Sequence, residues 1–112
     1  MKRYGWVIGL KAEELEEYKR LHANVWQNVL RMIKACHIQN YSIYLRQLPY
    51  GNHYLFNCLE YTGKDFTADM AKIAADPTTQ KLWSVCIPCQ QPLRDRKKGE
   101  LWAEMEEVFH SD

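Results

Sequence analysis

The residues best suited to chemistry in this sequence are a histidine and two tyrosines. Tyr18 and His22 are four residues apart in a segment rich in helix-forming residues, so one helix would bring their side chains into contact. Tyr41 follows in a segment of aromatic and β-branched residues typical of a strand. An imidazole titrates near neutral pH and transfers protons, while phenol hydroxyls donate and accept hydrogen bonds. Together with the flat indole of Trp83, these groups would suit a monosaccharide.

The position of His22 leaves two interpretations open. On a helical wheel, His22 falls in the sector occupied by Leu15, Tyr18, Val25, Trp26, Val29, Ile33 and Cys36. A single histidine on such an apolar face is most often a core residue that is hydrogen-bonded to a carbonyl group. The neighbouring tyrosine hydroxyls favour a binding site instead, with Tyr18, His22 and Trp26 in contact along one helix.

Hydrophobic periodicity and turn residues predict the elements that would position these groups. Asp76-Pro77 has the N-cap and first-position proline of a new helix, and the segment from Pro49 to Asn52 is a turn. The predicted elements are a strand over 4–10, a helix over 12–36, strands over 40–46 and 53–61, helices over 64–75 and 77–86, and a strand over 105–110.

This order predicts an α+β, ferredoxin-like fold, in which an antiparallel sheet carries helices on one face. The 112 residues fit one domain, spanning 1–112. Aromatic residues are distributed over the strands, so the uncovered sheet face would pack against a second copy. We therefore expect a homodimer of the dimeric α/β-barrel type.

Composition excludes several classes of partner. The net charge of +1 offers no basic surface for nucleic acid, and no segment approaches the roughly 20 apolar residues of a membrane span. We expect a cytoplasmic protein with four free thiols. Cys36 and Cys58 would be buried as small hydrophobic residues. Cys86 and Cys89 have the spacing of a metal or dithiol motif, but no second ligand pair accompanies them, so we expect neither a metal nor a cofactor.

The sequence resembles the L-rhamnose mutarotase family. The resemblance rests on the segment from Glu17 to His22 with Val25-Trp26 after it, on the strand segment from Asn40 to Leu45, and on the closing segment from Glu106 to Phe109. It covers nearly the whole chain. It implies a homodimeric ferredoxin-like fold that interconverts the α and β anomers of L-rhamnose.

The resemblance also implies roles for individual residues. His22 would be the proton donor, Tyr18 and Tyr41 would bind the sugar, and Trp83 would line the site. One position departs from the family, which typically has two adjacent tryptophans where this chain has Leu82-Trp83. A related deoxy sugar such as L-fucose is therefore a second candidate substrate.

The chemistry of anomer exchange leaves one group unassigned. Opening a cyclic hemiacetal requires the ring oxygen to gain a proton and the anomeric hydroxyl to lose one, and a histidine can supply the first proton. Water, a carboxylate such as Glu107, or His22 itself are the candidates for the second transfer. The alternative function is a haem-binding protein or cofactor-light monooxygenase of the same fold, with His22 as an axial ligand.

Overall fold

The computed structural model describes residues 1–112. The strands are β1 (Lys2–Leu10), β2 (Ile38–Gln47), β3 (His53–Tyr61), β4 (Gln90–Gln91) and β5 (Ala103–Met105). The α-helices are α1 (Leu15–Ala23), α2 (Gln27–Ala35), α3 (Phe66–Ala75) and α4 (Pro77–Cys86), and Ala12–Glu14 and Ile87–Cys89 form single turns of 3-10 helix. None of the helices combines the length and apolar character needed to cross a membrane.

The strands form one antiparallel sheet in the order β2-β3-β1-β4, and β5 pairs with the same edge of β1 as β4 does. The helix-covered face carries Tyr4, Trp6, Ile8 and Leu10 of β1 and Leu55, Asn57, Leu59 and Tyr61 of β3. These residues pack against the helices in two core clusters. The fold confirms the predicted α+β, ferredoxin-like class.

The other side of the sheet, called the open face below, carries no helix. A row of paired residues crosses it, in which Phe56 lies between Val7 and Tyr44. Cys58 is exposed on this face, so its predicted burial was wrong. A position inside a strand does not ensure burial, because alternation along β3 sends every second side chain, including that of Cys58, to the uncovered face.

The predicted helix over 12–36 is broken into two. The backbone at Asn24 (φ −145°, ψ 72°) and at Trp26 (φ −62°, ψ 138°) is not helical, and α2 starts anew at Gln27. Asn and β-branched Val25 are weak helix formers, so the chain is able to bend here. Trp26 consequently does not continue the stripe of α1, and the prediction that Tyr18, His22 and Trp26 lie along one helix was wrong.

The end of the chain also differs from the sequence-based expectation. The last strand is Ala103–Met105 rather than 105–110, and residues after Met105 have no regular structure. The strand predicted over 105–110, with Met105, Glu107 and Phe109 on one side, was therefore wrong. The two-residue strand β4 was not predicted, because a segment that short has no periodicity to detect.

Other local predictions are confirmed. Asp76 accepts a hydrogen bond from the backbone N–H of Thr79 (2.9 Å) and is followed by Pro77 in the first position of α4. Gly51 has φ +95° in the turn between β2 and β3, a conformation that glycine adopts without a steric penalty. At Gly9, a Cβ atom would lie 2.5 Å from the carbonyl oxygen of Gln91, so glycine is what allows β4 to approach β1.

Candidate active site

Tyr18 and His22 form the centre of the candidate site. Both lie on α1, one turn apart, and their rings stack with centroids 4.3 Å apart and planes 23° from parallel. The Nδ1–H of His22 donates to the carbonyl oxygen of Tyr18 (2.9 Å), since a carbonyl can only accept. That bond fixes the imidazole and leaves Nε2 without a hydrogen-bond partner in the protein. The ring is half-buried, so Nε2 is available to a ligand.

The hydroxyl of Tyr18 is held in the core at the sheet edge. Only 5% of the residue is exposed, and the side-chain amide of Gln90 lies 3.4 Å from the hydroxyl oxygen. Burial raises the pKa of Tyr18 well above its usual value; the Gln90 amide acts in the opposite direction, and Cys86 and Tyr41 add to the increase. The phenol is therefore neutral at physiological pH and serves as a hydrogen-bonding group.

Tyr41 reaches the helix-covered face through an irregularity in β2. The pairing with β3 shifts between Gln39 and Ser42, and Asn40 in this bulge has φ +49°. Beyond it, Ile43 pairs with Asn57 on the covered face, and Tyr41 shares that face by alternation. The extra residue therefore turns Tyr41 towards the helices rather than towards the open face.

The Tyr41 hydroxyl shares the surroundings of Tyr18. The residue as a whole is 40% exposed. Burial still raises the pKa of its hydroxyl, the side chain of Asn57 lowers this pKa, and Cys86 raises it further. Asn57 itself is buried, and its Oδ1 accepts the backbone N–H of Trp6 (3.0 Å). The structure thus brings two neutral phenols and one imidazole to the same part of the covered face.

Trp83 lies at the surface of α4, and its part in the site stays a prediction. It is 40% exposed on α4, and none of the aromatic ring pairs joins it to Tyr18 or His22. Its neighbour Leu82 is 6% exposed and belongs to the core cluster that contains Tyr18. Trp26 precedes α2, and the ammonium of Lys81 from α4 lies 5.8 Å from its ring centroid, within cation–π range.

Glu107 is separated from these residues by the sheet. Both of its carboxylate oxygens accept hydrogen bonds from Arg3, at 2.8 and 3.1 Å, on the open side of β1. The Arg3 guanidinium lowers the pKa of Glu107. This carboxylate therefore anchors the end of the chain to β1, and it is not in a position to act with His22.

The cysteines near the site are buried thiols. Burial raises the pKa of Cys86 to about 11, and burial raises the pKa of Cys89 as well. The Sγ of Cys89 lies 3.4 Å from the carbonyl oxygen of Val85 and 3.8 Å from Glu14. Thiols in this state are protonated at neutral pH, whereas metal binding and disulfide exchange need the thiolate. No group of three or more His, Cys, Asp or Glu side chains in the chain is arranged to hold a metal ion.

Sequence reasoning missed two polar residues next to the tyrosines, Asn57 and Gln90. Asn57 was detectable, because it interrupts the apolar alternation of Leu55 and Leu59 on β3. Gln90 gave no such signal, because it belongs to a strand of two residues.

Comparisons with known proteins identify the family of the chain. A model of the L-rhamnose mutarotase family matches residues 3–111. The L-rhamnose mutarotase of Lactiplantibacillus plantarum is 30% identical and that of Phocaeicola vulgatus 29% identical, each over 112 residues and the whole of both chains. The crystal structure of an L-rhamnose mutarotase from Formosa agariphila, 20% identical, covers all of both chains with a TM-score of 0.73 and supports the fold. The chain belongs to the L-rhamnose mutarotase family.

Proposed function

We propose that the protein interconverts the α and β anomers of L-rhamnose, the reaction of its family, by proton transfer at His22. The observation that carries this proposal is the fixed imidazole, which is bound through Nδ1 to the Tyr18 carbonyl and free at Nε2. Two neutral phenols on the same face supply the hydrogen-bonding groups that a sugar needs. Nothing in this arrangement favours the haem-binding alternative, and the family match favours sugar chemistry.

Opening the sugar ring needs two proton transfers and the cleavage of one bond, and closing the ring reverses these steps. Protonated Nε2 of His22 donates a proton to the ring oxygen as the bond from this oxygen to the anomeric carbon breaks, and water accepts the proton of the anomeric hydroxyl. The aldehyde then rotates, and the former ring oxygen attacks its opposite face. As the ring closes, the attacking hydroxyl returns its proton to Nε2 and the former aldehyde oxygen takes back the proton held by water, so enzyme and solvent are both unchanged. General acid–base catalysis of this kind contributes about 10²- to 10⁴-fold to the rate.

The surrounding side chains would bind and orient the sugar. Tyr18 and Tyr41 would hydrogen-bond its hydroxyls, since both remain protonated at physiological pH. Trp83 would cover the apolar face of the sugar ring, which explains why a large aromatic side chain is left half-exposed on α4. Leu82 is part of the core in this chain, so only one indole on α4 is available for this contact.

The test is saturation-transfer NMR on the anomeric protons of L-rhamnose, with L-fucose and D-glucose for comparison. We expect catalysed exchange for L-rhamnose, weaker exchange for L-fucose, and none for D-glucose. If none of the three sugars showed catalysed exchange, the proposal would be contradicted. Haemin titration would then test the alternative function.

A homodimer that packs through the open face is also proposed. The row formed by Val7, Phe56 and Tyr44 offers apolar surface, and Tyr44 in it is 63% exposed. Light scattering should give twice the chain mass of 13.3 kDa. Cys58 lies on the same face, so its reaction with a thiol reagent should accelerate on dilution. A concentration-independent rate with a monomer mass would contradict the dimer.

The buried free thiols support a cytoplasmic location. Cys36, Cys86 and Cys89 are all unpaired and buried, a state that reducing compartments maintain.

A further inference from the structure

Gln90 is a buried polar residue whose hydrogen bonding the fold does not satisfy. Only 7% of the residue is exposed, and its side-chain Oε1 is fully buried without a hydrogen-bond partner. Its Nε2 has one contact, the hydroxyl oxygen of Tyr18, at 3.4 Å. A buried amide with an unpaired oxygen destabilises a protein relative to an apolar side chain of the same size. Stability alone therefore does not explain a glutamine at this position.

The backbone holds Gln90 firmly in place. Gln90 pairs with Leu10 and Gln91 pairs with Gly9, where the missing side chain allows β4 to come close to β1. The amide thus extends from a fixed strand at the edge of the sheet towards α1.

The direction of the contact with Tyr18 has a chemical consequence. An amide N–H can only donate, so the Tyr18 oxygen must accept, and the proton of its own hydroxyl points elsewhere. A donor at this position also stabilises the phenolate, so the Gln90 amide lowers the pKa of Tyr18 against the larger, opposite effect of burial. Without the amide, the hydroxyl would be free to rotate.

We propose that Gln90 is a positioning residue that fixes Tyr18 as a hydrogen-bond donor to the sugar. It acts through the Tyr18 hydroxyl and does not itself contact the substrate. This inference rests on the proposed function, in which Tyr18 binds L-rhamnose. A fixed donor binds an oxygen of the sugar without first losing rotational freedom, and so strengthens binding.

A double-mutant cycle tests this role, because a residue that acts only through Tyr18 has no effect once the Tyr18 hydroxyl is gone. The variants are Gln90→Met, Tyr18→Phe and the pair, assayed for kcat/KM and for the dissociation constant of L-rhamnose. We expect Gln90→Met to reduce kcat/KM by about 2- to 12-fold, the range for one neutral hydrogen bond. In the Tyr18→Phe background, Gln90→Met should change kcat/KM by less than about 1.5-fold.

Two further variants sharpen the test. Gln91→Met, on the exposed neighbour in β4, is the matched control and should behave as wild type. In Gln90→Glu an ionised carboxylate would accept a hydrogen bond from the Tyr18 hydroxyl, which could then no longer donate to the sugar. This variant should therefore lose more activity than Gln90→Met, and it should recover part of that activity as the pH falls and the carboxylate is protonated. The melting temperature of Gln90→Met should equal or exceed that of the wild type, since an unpaired buried oxygen has been removed.

The outcomes separate this inference from the proposed function. If the wild-type protein neither catalysed anomer exchange nor bound L-rhamnose, the proposed function itself would be contradicted. If the wild type is active, then additive effects in the cycle, an unaffected Tyr18→Phe variant, or a Gln90→Glu variant as active as wild type would each overturn the positioning role of Gln90.

Discussion

His22 donates its Nδ1–H to the carbonyl oxygen of Tyr18, 2.9 Å away and one helical turn earlier. The same pair of residues also stacks ring on ring, so the imidazole is fixed by one polar and one aromatic contact within α1. A core histidine would bond to a carbonyl in the same way. The difference lies at Nε2, which the protein leaves free for a ligand.

Replacement of His22 should separate catalysis from folding. His22→Ala should reduce anomer exchange by about 10²- to 10⁴-fold, the contribution of a general acid–base. Stability should fall by about 1–3 kcal/mol, for the hydrogen bond and the ring stacking with Tyr18 that are lost together. Saturation-transfer NMR and thermal unfolding measure the two effects. The control is His37→Gln, which keeps a donor towards Asp69 and should exchange anomers normally. Unfolding of His22→Ala with no active fraction would indicate a core histidine instead.

Tyr41 and Tyr44 provide a matched pair on one strand. Tyr41 faces the helices beside Asn57, whereas Tyr44 pairs with Phe56 on the open face. Tyr41→Phe should weaken L-rhamnose binding by about 2- to 12-fold, the range for one neutral hydrogen bond, while Tyr44→Phe should leave affinity unchanged. NMR titration of the sugar measures both. If the two variants bound L-rhamnose with equal affinity, Tyr41 would not be part of the binding site.

The carboxylate of Asp69 should make stability depend on pH at the acidic end. Its pKa is held below 3.8, first by the hydrogen bond from Tyr61 and then by His37 and Lys72, against the opposing effect of burial. Because the pKa is lower in the folded state, this contribution is fully present above about pH 4 and disappears as the pH falls through the folded value.

The comparison of wild type with Asp69→Asn tests this directly. The difference in melting temperature should be constant from pH 7 to about pH 5 and should shrink below about pH 4, where the wild type loses its advantage. Anomer exchange should persist in the variant, because Asp69 accepts a hydrogen bond from Tyr61, which belongs to the core cluster that does not contain Tyr18. A difference that grows on acidification would contradict the sign of this prediction.

The sequence predicted the contact between Tyr18 and His22 because a spacing of four residues is sufficient on any helix. It did not predict the end of α1 at Ala23, since the apolar periodicity continues through Val25 and Trp26 while the backbone does not. Helix ends depend on tertiary packing, which periodicity does not report.

The same limit applies to the strand that carries Tyr41. The bulge between Gln39 and Ser42 changes which face a side chain occupies, and a rule of strict alternation cannot include it. Recognition of the Asn40-Tyr41 segment as part of a family pattern succeeded, because it depends on residue identity and not on the face. The contact of Gln90 with Tyr18 joins residues 72 positions apart and only the folded structure reveals it.

Leu82 and Trp83 are adjacent on α4, and replacing each with alanine should affect a different property: stability for Leu82 and sugar binding for Trp83. Leu82 is buried in the cluster with Tyr18, so Leu82→Ala should destabilise the protein by about 2–5 kcal/mol through loss of packing and creation of a cavity. Trp83 is half-exposed, so Trp83→Ala should cost far less stability and should instead weaken sugar binding, because the sugar loses its aromatic surface. Denaturant unfolding and NMR titration of L-rhamnose measure the two properties.

Leu82→Met, which conserves volume, is the control and should cost less than about 1.5 kcal/mol of stability. If Trp83→Ala bound L-rhamnose as tightly as the wild type, the exposed indole would have no part in the site, and sugar binding would depend on Tyr18, Tyr41 and His22 alone.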